Sequence, residues 1–146
     1  MIQPATKNAR IYSEAIQYLG VVELDGPKTN PLIRSWILQS AKWLDQDDSK
    51  TAWCGCFRGA IGIATATGAP ENHFRAASWR QWGIAVDKLE NAIKGDTLIF
   101  TRRGGFHVGL FSGLSDNGNP LVLGGNQSDS VSIAEYDKDH LLSIRR

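Results

Sequence analysis

Ile11, Ala15 and Leu19 recur at i, i+4 and i+8, with Tyr12 and Ile16 beside them. That is the spacing of one buried helix face, and Gly20 stands where a C-cap glycine would end it. The run Asp25-Gly26-Pro27-Lys28 then reads as a turn. Asn30 followed by Pro31 is an N-cap residue with proline at the first helical position. The helix it predicts carries Ile33, Trp36, Ile37, Ser40 and Leu44 on one face, and the polar loop Asp45-Gln46-Asp47-Asp48-Ser49-Lys50 stops it. A third helix starts at Cys54, where Phe57, Ile61 and Ala64 keep helical spacing. Gly55, Gly59 and Gly62 lower its propensity and allow another element to pack closely. Ala76–Trp82 reads as a short helix, with Trp79 and Trp82 three apart.

The last third switches to period two. Thr97–Thr101, His107–Phe111, Leu121–Leu123, Val131–Ile133 and Leu142–Ile144 read as five short strands. Asn117-Gly118 is the strongest hairpin turn in the chain. Helices first and an antiparallel meander after them predict an α+β domain, with N-terminal helices packed on a C-terminal antiparallel sheet.

At 146 residues, with no repeat or linker, residues 1–146 read as a single domain without room for a separate binding module. The net charge of +1 argues against a nucleic-acid partner, whose affinity rests on clustered positive charge. No apolar run is long enough to insert into a membrane, and MIQPATKNAR lacks the apolar region of a signal peptide. The two cysteines, Cys54 and Cys56, are too close in sequence to pair readily, which fits folding in a reducing compartment.

Cys54 opens a helix, where free N–H groups and the helix dipole stabilise a thiolate. Two readings fit it: a reactive nucleophile, or a small buried hydrophobe. Cys56 points about 200° away around the helix and packs inward. The two cysteines lack the further ligands that a metal site needs, so no metal and no cofactor is implied. His73 and His140 read as solvated. His107 begins a strand on the face opposite Val108 and Leu110, as either a structural or a functional histidine.

The hairpin bears on that choice. A two-residue turn at Asn117-Gly118 makes paired residue numbers sum to 235, so Gly109 faces Asn126. Asn126 then lies diagonal to His107 on the same face, about 7–8 Å away by backbone. An asparagine bonded to one imidazole nitrogen would aim the other at a nucleophile. A bulge at Gly124-Gly125 would shift this register.

Four blocks in order resemble the NlpC/P60 and CHAP cysteine peptidases, papain-like enzymes that cut peptidoglycan. Trp53-Cys54-Gly55-Cys56-Phe57 looks like the nucleophile block and Lys94-Gly95-Asp96-Thr97-Leu98-Ile99-Phe100 like the Gly-Asp-strand block. His107-Val108-Gly109-Leu110-Phe111 is similar to the histidine block and Val122–Ser128 to the third-residue block, with Asn126 at the triad position. Tyr18–Val21, Asn30-Pro31 and Ser78–Gly83 resemble a phage and prophage branch of the group. Cys56 stands where that group has a small residue such as alanine.

The resemblance implies a papain-like fold and a Cys54, His107, Asn126 triad that hydrolyses a stem-peptide or muramoyl–alanine amide of peptidoglycan. It implies a cleft for which Trp53, Gly55, Trp79, Trp82 and Phe106 are candidates, the tryptophans being equally at home in a core. Some CHAP domains bind calcium through acidic residues before the nucleophile; Asp45, Asp47 and Asp48 occupy that region and read more simply as a solvated loop. The expected protein is a monomeric endolysin made in the bacterial cytoplasm and reaching the wall through a holin. A secreted toxin amidase of the same chemistry is the nearest alternative. A papain-like deamidase or acyltransferase, and a non-catalytic wall-binding or structural phage protein, stand further off.

Overall fold

The computed structural model describes residues 5–24 and 28–146. Helix α1 spans Lys7–Ile16, capped by Thr6, whose side chain accepts from the Ala9 N–H. It ends three residues earlier than the apolar spacing suggests: Leu19 is exposed, and Gly20, at φ +89°, belongs to the following turn. Helix α2, Pro31–Ser40, starts as its sequence predicts, with Asn30 accepting from the Leu32 N–H. Of the turn read at Asp25–Lys28, residues 25–27 lie outside the described residues. Helix α3 spans Cys54–Ala64.

A 3₁₀ turn at Ala76–Gln81 leads to strand β1, Ala85–Val86. The remaining strands are β2 (Thr97–Arg102), β3 (Gly105–Leu114), β4 (Pro120–Gln127), β5 (Ser130–Glu135) and β6 (Leu141–Arg145). They form one antiparallel sheet in the order β1-β6-β2-β3-β4-β5. The five predicted strands are all present; the two-residue β1 is the addition, too short to leave a periodic signal.

Alternation divides the sheet into two faces. Ile99, Val108, Leu110, Leu123 and Val131 join Ile11, Ile33, Trp36, Trp53 and Phe57 in the main core beneath the helices. Leu98, Phe100, Phe111, Val122 and Ile144 form a smaller cluster on the opposite face. The glycines of α3 accept the segment between α3 and the 3₁₀ turn. A Cβ on Gly55 would collide with the His73 and Phe74 carbonyls, and one on Gly59 with the His73 ring. That close approach fixes the wall that carries Phe74 and Arg75 against the start of α3.

Candidate active site

Trp53, the residue before α3, makes no side-chain capping bond. The first turn of a helix has no acceptors for its N–H groups within the helix. Donors from Cys54 onward are therefore available to a developing oxyanion. Cys54 is only 3% exposed, yet it lines a cavity of about 440 Å³ with Phe74, Arg75, Arg102 and Phe106. A small electrophile can reach the thiol from that side.

His107 of β3 is completely buried. Its Nε2 lies 2.9 Å from Oε1 of Gln127. The Gln127 amide is oriented by two other bonds, since its Nε2 donates to the carbonyls of Val122 at 3.1 Å and Ser132 at 2.8 Å. Oε1 can only accept, so His107 Nε2 carries the proton and donates. Nδ1 is then the basic nitrogen of the neutral ring, and it is buried with no hydrogen-bond partner. Tyr136 stacks on the imidazole, centroids 4.9 Å apart and planes within 8°. Burial, with the nearby Cys54 thiolate adding to it, pushes the Tyr136 phenol up to about 12, so it remains a neutral plate.

The imidazole acts on the thiol. Burial pushes Cys54 up, but the neighbouring His107 imidazole and its charge, the Val108 N–H and the Arg102 charge oppose it. The net effect holds the Cys54 thiol below its ordinary range. Cys56 is the reverse case: burial pushes it up to about 11, with only a Ser40 hydrogen bond and its own backbone N–H opposing. Two thiols in one helical turn are thus separated by environment, one poised to ionise and one kept neutral.

The structure is similar to that of NlpC1 from Trichomonas vaginalis, at TM-score 0.59 and 19% identity, covering 100% of this chain and 46% of that one. It is also similar to an NlpC/P60 family protein from Bacillus cereus, at TM-score 0.59 and 19% identity, covering 98% of this chain and 41% of that one. The fold is of the NlpC/P60 type. No protein-family model matches the sequence, and no curated protein does. The chain spans less than half the length of these two structures.

Within this NlpC/P60-type fold the third polar residue beside the histidine is Gln127, not Asn126. The strand pairing departs from the expected register at three places, and the last of them accounts for the change. The hairpin closes with a three-residue loop, Ser115 N–H to Asn119 carbonyl at 2.8 Å, with Gly118 at φ +77°. The β3–β4 register slips again between Phe111 and Gly113, so Leu110 pairs with Leu123. A bulge between Gly124 and Gln127 in the β4–β5 pairing follows, with Asn126 at φ +58°. The first two slips add to two residues and leave the expected facing unchanged; the one-residue bulge exchanges the faces, and Gln127 turns toward His107. Its side chain runs beneath Gly124, where a Cβ would collide with Oε1, whereas a Cβ on Gly109 would collide with the Val122 side chain. The Gly124-Gly125 pair was the signal in the sequence; Tyr136 had none.

The tryptophans do not line the cleft. Trp53 is buried and donates from Nε1 to Glu23 at 2.7 Å. Trp79 and Trp82 are buried as well, with the Arg58 guanidinium 4.4 and 4.9 Å from their ring centroids. Gly55 serves packing of the 73–74 backbone rather than substrate approach. Phe106 does line the cavity, as expected.

His73 is not a solvated residue: it is half-buried, with Nε2 2.6 Å from the Ser40 hydroxyl. His140 is exposed. The acidic loop also departs from simple solvation. Asp48 is 1% exposed and accepts from the Asn30 N–H at 2.9 Å, while Asp47 accepts from Ser49. Among the described residues, no group of three or more His, Cys, Asp or Glu is placed to hold a metal ion. Nor is any helix among them long and apolar enough to cross a membrane.

Proposed function

We propose that this protein is a cysteine peptidase or amidase that cuts an amide of peptidoglycan, in the stem peptide or at the muramoyl–alanine link. The observation that carries this reading is the environment of Cys54: a thiol at an uncapped helix start, lowered by a histidine whose proton-bearing nitrogen is held by Gln127. Nδ1 of His107 takes the thiol proton, and the thiolate attacks the amide carbon. First-turn N–H groups of α3 receive the oxyanion. The imidazolium protonates the leaving amine, and the neutral ring then activates water against the thioester. Gln127 keeps Nε2 protonated throughout, and Tyr136 limits the ring to one plane.

The peptidoglycan assignment draws on the NlpC/P60 likeness of fold and sequence blocks. The resemblance of Ser78–Gly83 to a phage and prophage branch of the group supports a lytic role at the cell wall, with a toxin amidase as the other use of the same chemistry. Clearing of a purified peptidoglycan suspension, with mass analysis of released fragments, tests the reading and identifies the bond. Loss of turbidity that persists with Cys54→Ala, or intact peptidoglycan with a properly folded wild-type protein, would overturn it.

A further inference from the structure

Residues 74–77 form one wall of the cavity above Cys54. His73 is where that wall is fastened to the rest of the molecule. Its Nε2 lies 2.6 Å from the hydroxyl of Ser40, the last residue of α2. Its ring occupies the hollow that Gly59 leaves on α3, and its carbonyl lies against Gly55. The same carbonyl accepts from Nε1 of Trp79 at 3.0 Å, which ties the 3₁₀ turn to the wall. One residue thus joins α2, α3 and the 3₁₀ turn immediately behind the cavity lining.

A protonated imidazole carries N–H groups on both nitrogens and a full charge. The groups around His73 do not compensate that charge. Ser40 faces the ring from α2 and is neutral. Cys56 of α3, on which Ser40 also acts, is a thiol pushed up to about 11 and is neutral as well. Within the wall the nearest charge is the Arg75 guanidinium, itself a cation, 5.4 Å from the Phe74 ring centroid. Among the described residues no carboxylate pairs with His73. Burial holds its imidazole below the ordinary histidine range. A charged ring regains water by lifting away from Gly59, and the carbonyl that abuts Gly55 and holds Trp79 belongs to the same residue.

We propose that His73 is a positioning residue and a proton-sensitive latch: uncharged, it holds the 74–77 wall against the start of α3, and on protonation it releases that wall from Cys54. The sign follows from the direction of the shift. The neutral ring is favoured in the folded protein, so the latch is fully set above the unfolded value of about 6.5 and is lost as pH falls through the folded one. A cleft built this way is ordered near neutrality and loosens in acid.

The effect on turnover rests on the reading of Cys54 as nucleophile, whereas the latch itself is read without substrate. An NMR titration follows the His73 ring C–H signals and the Trp79 indole N–H. The ring should titrate below about 6.5, and the indole signal should move with the same midpoint. After correction for intrinsic rates, exchange of that N–H should be roughly tenfold faster at about pH 5 than at about pH 7.5. His73→Gln keeps a side chain able to bond Ser40 but has no proton to gain, so its indole N–H should not respond. His140→Gln, at an exposed position, should behave as wild type.

An indole N–H that stays protected while the ring titrates, or that responds equally in His73→Gln, overturns the proposal. So does a ring midpoint at or above the ordinary value. Should His73→Gln fail to fold, the wild-type midpoints decide: coincidence sustains the latch, and separate midpoints overturn it. With a cleaved substrate, KM at about pH 5 should be severalfold lower for His73→Gln than for wild type while kcat stays alike. Equal KM values overturn the positioning role. A coupled titration without any cleavage sustains the latch and removes the hydrolase reading. Cleavage with an indole N–H indifferent to pH does the opposite.

Discussion

Gln127 accepts a hydrogen bond from His107 at 2.9 Å and cannot turn away, because Val122 and Ser132 hold the other end of its amide. This fixes which imidazole nitrogen serves Cys54. Gln127→Ala should lower kcat/KM by roughly 10- to 1000-fold, an estimate scaled from loss of the orienting residue in serine triads. Gln127→Glu should also lose activity. It keeps the acceptor but sets a buried carboxylate against two carbonyls. Asn126→Ala should retain most activity and lose about 1 kcal/mol of stability through its left-handed backbone, with Asn126→Gly keeping both. Rate assays beside thermal melts separate these effects. An Asn126→Ala protein that melts normally but is as inactive as Gln127→Ala would return the role to Asn126.

Much of this site was legible because it sits on regular elements. Cys54 follows a loop and opens a periodic helix, and His107 alternates with Val108 and Leu110. What the sequence concealed is the backbone between them. Gly118 at φ +77° and Gly113 at φ +137° each shift the β3–β4 pairing, and Asn126 at φ +58° lies within the bulge that follows. Period-two reasoning has no memory of such insertions: the two β3–β4 shifts cancel in facing, and the single extra residue of the bulge moves the facing position from Asn126 to Gln127. The tryptophans misled for a different reason. Trp79 and Trp82 pack around Arg58, a cation on the buried side of α3 that composition alone does not announce.

Cys54→Ala should abolish hydrolysis with the fold intact, since alanine fits a helix start and removes only the sulfur. Cys56→Ala should keep most activity and cost about 1 kcal/mol of stability, as expected for a small buried group. The thiol of Cys56, pushed up to about 11, contributes almost no thiolate at neutral pH. Mass spectrometry after limited alkylation should find the label on Cys54. Label on Cys56, with full activity in Cys54→Ala, would reverse the assignment.

The lowered Cys54 thiol has a sign that can be checked. Thiolate rises as pH passes upward through its pKa, so the rate of iodoacetamide labelling should reach half-maximum below the ordinary thiol value of about 8.5. In His107→Ala the burial remains and the opposing histidine is gone, so that midpoint should move above the ordinary value. Linkage gives the matching stability term. With the folded value below the unfolded one, ionisation favours the folded state above the unfolded value, and the contribution is lost as pH falls through the folded one. A midpoint identical in wild type and His107→Ala would mean that the imidazole does not act on the thiol.

Asp96 tests the frame that holds the site rather than the chemistry. Its buried carboxylate accepts from Asn8 of α1 at 2.8 Å, from the Ile93 N–H at 2.8 Å, and from Arg146 at 2.8 and 2.7 Å. One side chain thereby joins the first helix, the entry to β2 and the residue after β6. Asp96→Ala leaves those donors unmatched and should destabilise by on the order of 3 kcal/mol. Arg146→Ala should lose less, about 1 kcal/mol, because the guanidinium is 39% exposed and screened, and Asn8 and Ile93 still serve the carboxylate. Thermal unfolding measures both, and the double variant should be less destabilised than the sum of the singles. Well below its melting temperature, Asp96→Ala should still label at Cys54 with an unshifted pH midpoint, because Asp96 does not line the cleft. A displaced midpoint in protein that remains folded would show that the Asp96 junction sets the Cys54–His107 geometry as well as the stability.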